Sequence, residues 1–167
     1  MTGKDIVARA EQLKNYKYWY GGKRELATVP LANRLRKENP KVWNDAYYYK
    51  AMQDVIAGVH VCDCSGLVCY AYNIKDIGSY QIREKYKVWN GKPKAGMIAW
   101  KSGHVGIIKD SQGHMIEMRG IDYDYMDTRY RKEAGCMTLL YDPNINYDDT
   151  VSNKCPYGYC EHCEYLK

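Results

Sequence analysis

The apolar pattern of this chain changes period once, and that change limits what the chain can fold into. Up to about residue 89 apolar residues recur mainly at helical spacing; after Pro93 they come in short runs separated by turn residues. Thr2 and Asp5 outline a capping box, with Ile6, Ala10 and Leu13 behind it, which predicts a first helix over 3–15. Pro30 near its start and Pro40 beyond its end bracket a second helix over 28–39. A third is expected over 42–57, burying Trp43, Ala46, Tyr47 and Val55 and stopping at Gly58. Between the first two, Tyr16 to Gly22 reads as a turn or short extended piece. A fourth helix starts at Cys64 and ends near Asn73, and 79–89 reads as a helix and turn. The later runs, 97–101, 104–109, 114–119 and 136–141, read as strands, with Asp110-Ser111-Gln112-Gly113 as a hairpin turn. Helices first and then an antiparallel meander define an α+β class, with N-terminal helices packed on an antiparallel sheet.

Length and charge narrow the function. The chain has 167 residues, the size of one ordinary domain. No apolar run approaches the ~18 residues of a membrane span, so no membrane partner is expected. The first residues lack the basic-then-apolar pattern of a secretory signal, and synthesis in a cytoplasm is the expectation. The net charge of +5 is spread along the chain. It fits either a solvated surface or attraction to an anionic polymer such as a bacterial wall. No dense basic stripe or nucleic-acid-binding motif is present, so nucleic acid is not an expected partner. The odd count of seven Cys argues for reduced thiols rather than a closed disulfide framework.

One thiol has company. Asp63-Cys64-Ser65-Gly66 stands directly before the apolar run Leu67–Tyr72. That places Cys64 at a helix N-terminus, where the dipole favours thiolate. His104 opens a predicted strand, and Glu117 lies on the next strand across the hairpin. Neighbouring strands lie ~5 Å apart, so a carboxylate on one can orient an imidazole on the other. Nucleophile, base and orienter are the parts of a cysteine hydrolase. Asp122 and Asp124 are alternative orienters. Cys69 is expected to point away from Cys64 into the core.

Five segments, in order, resemble the successive motifs of NlpC/P60 cysteine peptidases. They are Tyr18-Trp19-Tyr20-Gly21-Gly22, Asp63-Cys64-Ser65-Gly66-Leu67-Val68, Ala95-Gly96-Met97-Ile98-Ala99-Trp100, His104-Val105-Gly106-Ile107-Ile108 and Met115-Ile116-Glu117-Met118-Arg119-Gly120. The resemblance spans 3–141 and is nearest to phage-endolysin-like members from gut Clostridia-type hosts, with 23–60 as a helical insertion. It implies a papain-like catalytic domain over 1–141, followed by a Cys-containing tail over 142–167. It implies hydrolysis of peptidoglycan stem peptides at the bond between γ-D-glutamate and a diamino acid, with no cofactor. Cys64 would be the nucleophile, His104 the base, and Glu117 the third group, where the family often has His. Tyr18 would serve the oxyanion or the substrate, and Asp63 and Ser65 would contact substrate. The partner would be peptidoglycan or its muropeptides. The enzyme would act on the wall after release by another lysis protein, or on imported muropeptides in the cytoplasm. An acyltransferase or amidase on the same scaffold, or a non-catalytic wall-binding module, are the competing functions.

The C-terminal Cys155, Cys160, His162 and Cys163 have the donor types of a tetrahedral zinc site, although His162 abuts Cys163. Free thiols or a disulfide there are the alternatives.

Overall fold

The computed structural model describes residues 1–148. It is an α+β fold in which five helices accompany two sheets. The elements in chain order begin with α1 (Gly3–Glu11), β1 (Lys17–Tyr18), β2 (Lys23–Leu26), α2 (Val29–Glu38), α3 (Asp45–Ala57), β3 (His60–Cys62) and α4 (Cys64–Ala71). There follow α5 (Ser79–Lys85), β4 (Lys87–Trp89), β5 (Ile98–Lys101), β6 (His104–Ile108), β7 (His114–Met118), β8 (Tyr125–Tyr130), a 3-10 turn (Arg131–Ala134) and β9 (Thr138–Tyr141).

Local chemistry sets the helix ends. Thr2 and Asp5 close the reciprocal capping box of α1. Thr28 caps α2 with Pro30 in its first turn, and Asn44 caps α3, which ends at Gly58 in the left-handed region. Asp63 caps α4 through Gly66 N–H at 2.7 Å. On α3 the buried residue is Ala51, whereas Ala46 is exposed. Trp43 precedes the helix and is fully buried against Trp19.

The larger sheet runs β4-β9-β5-β6-β7-β8. The expected meander is therefore present only from β5 to β8. β9 returns to pair with β5 and β4, so the strand order is interrupted by the last strand of the domain. One face carries Ile98, Val105, Ile107, Ile116, Met118 and Leu140 against Ile6 and Ala10 of α1 and Leu67 and Val68 of α4. The other buries Met97, Ala99, Ile108, Met115 and Leu139 under the 3-10 turn. The small sheet, order β1-β3-β2, was not expected from the sequence. It makes 23–60 more than a helical insertion, because that segment opens with β2 and closes in β3. Trp19 Nε1 donates to Asp54 at 2.8 Å and Trp43 Nε1 donates to the Tyr20 carbonyl at 3.0 Å, which ties α3 to the aromatic segment.

Past Tyr141 the chain stays on the domain through the last described residue. Gly3 N–H bonds the Asn146 carbonyl at 2.9 Å, and the Tyr147 hydroxyl meets that of Tyr72 at 3.0 Å. Among the described residues no helix is long and apolar enough to cross a membrane.

Candidate active site

Cys64 is the first residue of α4, and α4 lies against β6. The backbones of Val105 at the start of β6 and of Ser65 favour the thiolate form of its sulfur, while His104 does not line the cleft onto which the thiol opens. Cys64 is 9 % exposed and opens on a cleft of about 580 Å³. Tyr18, Lys23, Asp63, Ser65, Asp76 and Tyr80 share that cleft. The sequence thus brings four of its expected site residues, Cys64, Tyr18, Asp63 and Ser65, to one wall-lined space.

His104 and Glu117 meet as the hairpin argument requires. His104 Nε2 lies 2.5 Å from Glu117 Oε2. Ile107 pairs with Ile116 and Ile108 with Met115, which puts Gly106 opposite Glu117 and His104 two residues further along the same face. Gly106 is what lets the carboxylate lie back along the strand: a Cβ there would sit 3.1 Å from the Glu117 Cβ. Glu117 is fully buried. A buried carboxylate needs its charge matched. Arg129 on β8 supplies the match, with Nε 2.6 Å from Oε1 and Nη2 2.7 Å from Oε2. Burial pushes the Glu117 carboxyl up, but the hydrogen bonds from His104 and Arg129 outweigh it and hold it below the ordinary carboxylate range.

Arg129 escaped the sequence reading. It arrives through the β7/β8 pairing, where Met115 faces Arg129 but Glu117 faces Met126, a register shift of one residue. The only signal was an Arg in an alternating Tyr125–Tyr130 segment, itself not read as a strand. The alternative orienters are engaged elsewhere. Asp124 accepts from the Tyr18 N–H at 2.9 Å and pairs with Lys17 at 3.0 Å, and Asp122 pairs with Lys50.

The thiol is not poised as its helix position suggested. Burial, followed by the charge of Asp63, pushes the Cys64 thiol up to about 11, against the backbone of Val105 and the charge of Lys23. Cys64 therefore rests as a neutral thiol. Tyr18 is likewise pushed well above the usual phenol range by burial and by nearby Cys64, so its hydroxyl is a neutral donor.

Lys23 is the second residue that sequence reasoning missed. Gly21, at φ +86°, turns the chain so that Lys23 pairs opposite Cys62. Its Nζ then donates to Asp63 Oδ1 and Oδ2 and to Ser65 Oγ at 2.6, 2.7 and 2.7 Å. Asp63 and Ser65 do line the cleft, but they face it with a cation already bound.

Cys62, Cys64 and Cys69 are buried and unbridged, and Cys69 is in the core as expected. Among the described residues no cluster of His, Cys, Asp and Glu has the composition to hold a metal. The proposed zinc donors Cys155, Cys160, His162 and Cys163 lie outside the described residues. Comparison with protein-family models and with curated proteins finds no match to this chain.

Proposed function

We propose that this chain is a cysteine endopeptidase of the papain-like NlpC/P60 type that hydrolyses peptidoglycan stem peptides, at the bond between γ-D-glutamate and a diamino acid. The observation that carries the reading is the His104–Glu117 contact at 2.5 Å, taken with a cleft-lining thiol at the N-terminus of a helix that packs on the strand of His104. The motif resemblance supplies the substrate class.

In this mechanism Glu117 fixes Nε2 of His104 as the protonated nitrogen, which leaves Nδ1 as the base. Nδ1 takes the proton of the neutral Cys64 thiol as the sulfur attacks the amide carbon. The Cys64 N–H, at the first position of α4 where the helix provides no acceptor, stands ready for the oxyanion. The Tyr18 hydroxyl is the second candidate donor. Collapse of the tetrahedral intermediate passes the proton from His104 to the leaving amine and leaves a thioester at Cys64. Water, deprotonated by His104, then hydrolyses the thioester and regenerates the thiol. No metal or cofactor takes part in these steps.

Digestion of purified peptidoglycan, with new termini identified by mass spectrometry, tests the reading. New amino groups on diamino acids, lost in Cys64→Ala and His104→Ala, are the expected result. Transfer products would favour an acyltransferase, and binding without products in the unmodified chain would favour a wall-binding module. Either would overturn the peptidase.

A further inference from the structure

The Asp63–Ser65 pair beside the nucleophile is a ready site for an ammonium: a carboxylate and a hydroxyl on one cleft wall. In this chain the site is filled from within. We infer that Lys23 is a resident counter-ion that makes the cleft select substrates whose amino group near the scissile bond is acylated, and reject those carrying a free ammonium there. The inference rests on the peptidase reading and names the substrate form that peptidase takes.

Three features of Lys23 support it. First, its ammonium uses all three donors at 2.6–2.7 Å, on both oxygens of Asp63 and on Ser65. Such charge-assisted bonds are short and strong, so a substrate ammonium competes against a fully coordinated one. Second, the lysine is held by its backbone. It pairs with Cys62, the residue before Asp63 is reached, and its N–H bonds Glu25. Third, the pair is shielded, with the Asp63 side chain 12 % exposed and that of Lys23 27 % exposed. The other carboxylate lining the cleft, Asp76, is paired through Oδ2 with Arg24 at 2.7 Å, and its Oδ1 is buried without a hydrogen-bond partner among the described residues. Asp63, by contrast, has both of its oxygens balanced by a resident cation. A second ammonium on Asp63 would meet like charge at close range, whereas an amide in place of the amine carries no charge to repel. A stem peptide still joined to its glycan has its amino terminus acylated; a released stem does not.

The test uses L-alanyl-γ-D-glutamyl-L-lysine with its amino terminus free, and the same tripeptide N-acetylated. The unmodified chain should cleave the acetylated form with a kcat/KM at least about tenfold higher. Lys23→Met keeps the aliphatic stem and removes the charge, and should bring the free amine level with the acetylated form or ahead of it. Lys23→Arg keeps the charge and should retain the original order. Equal cleavage of both peptides by the unmodified chain, or a ratio unmoved by Lys23→Met, overturns the inference while leaving the peptidase standing. Failure to cleave peptidoglycan or either peptide removes the peptidase reading instead. Calorimetric binding in the Cys64→Ala background then still decides the point. Tighter binding of the acetylated form, reversed by Lys23→Met, upholds the selection, and equal binding or none by either peptide overturns it.

Discussion

Arg129 grips both carboxylate oxygens of Glu117, through Nε at 2.6 Å and Nη2 at 2.7 Å, and so stands behind the group that orients His104. Glu117 is fully buried and the Arg129 side chain is 13 % exposed, so little water is available to replace either partner. Removing one member of such a pair leaves an uncompensated buried charge. Arg129→Met should therefore lower stability by about 3 kcal/mol. Glu117→Gln in the Arg129→Met background should recover part of that, because the stranded charge is gone. In the proposed peptidase, Arg129→Met should also reduce kcat by about tenfold to a hundredfold with KM little changed, since it acts by positioning. Arg129→Lys should rescue poorly, because one ammonium cannot reproduce the two-pronged grip. Urea titrations of the four proteins check the first part, and steady-state kinetics the second. Wild-type stability in Arg129→Met would contradict the account.

The resting state of the nucleophile has a direct signature. Burial and the neighbouring Asp63 push Cys64 up to about 11, so little thiolate exists near neutrality. Alkylation by iodoacetamide requires thiolate. The rate at Cys64 should then climb about tenfold per pH unit from pH 7 towards pH 10. A preformed thiolate–imidazolium pair would instead give a plateau already at or below neutrality. Peptide mapping separates Cys64 from the exposed Cys136. A plateau at Cys64 that is lost in His104→Ala would replace the neutral-thiol mechanism with an ion-pair one.

What the sequence made legible was local, and what it hid was long-range. The cap at Asp63, the helix behind Cys64 and the strand opened by His104 follow from residues within a few positions of one another. The His104–Glu117 contact spans one hairpin, so alternation and turn chemistry sufficed to foresee it. Arg129 reaches Glu117 only because a register shift moves β8 by one residue against β7, and no pattern in Tyr125–Tyr130 announces that shift. Lys23 reaches Asp63 across 40 positions, through a pairing of two short strands whose residues lack alternation. The place of β9 between β4 and β5 is likewise a property of the packed sheet. The thiol was misjudged for a related reason: helix position is readable from sequence, but burial is set by β6 and the cleft walls.

Alkali should unfold this protein early. Cys62, Cys64 and Cys69 are all raised above the ordinary thiol value of 9.0, chiefly by burial. Tyr18, Tyr47, Tyr72, Tyr86, Tyr125 and Tyr147 are raised above the phenol value of 10.0, again chiefly by burial. Above pH 9 the unfolded chain releases these protons while the folded one keeps them. The folded state then binds more protons, and its stability falls as pH rises. Glu117 acts at the other end. Its folded value lies below the usual 4.5, so its contribution is present above that pH and is lost as pH falls through the folded value. Urea midpoints measured from pH 3 to 11 should be flat between about 6 and 8 and drop steeply beyond 9. A midpoint unchanged at pH 10.5 would show that these groups are more hydrated than their burial implies.

Gly106 should prove to be a residue of the site although it carries no side chain. It lies between His104 and Ile108 on the strand face that Glu117 crosses to reach the imidazole. An added Cβ would stand 3.1 Å from the Glu117 Cβ and 3.1 Å from the Ile116 carbonyl oxygen. Contacts that close require a shift of a few tenths of an ångström, and β7 must give. The Glu117 carboxylate is also fixed from behind by Arg129, so the displacement falls on the hydrogen bond to His104. Gly106→Ala should thus cost the proposed peptidase about tenfold in kcat while lowering stability by only about 1 kcal/mol. The diagnostic is the imidazole itself. In proton NMR the Nε2 proton of His104, held by a 2.5 Å bond, should resonate far downfield in the unmodified protein and move upfield in Gly106→Ala. An unmoved resonance with full activity would mean that β7 absorbs the methyl group without disturbing the pair, and that Glu117 reaches His104 by a freer path than the register implies.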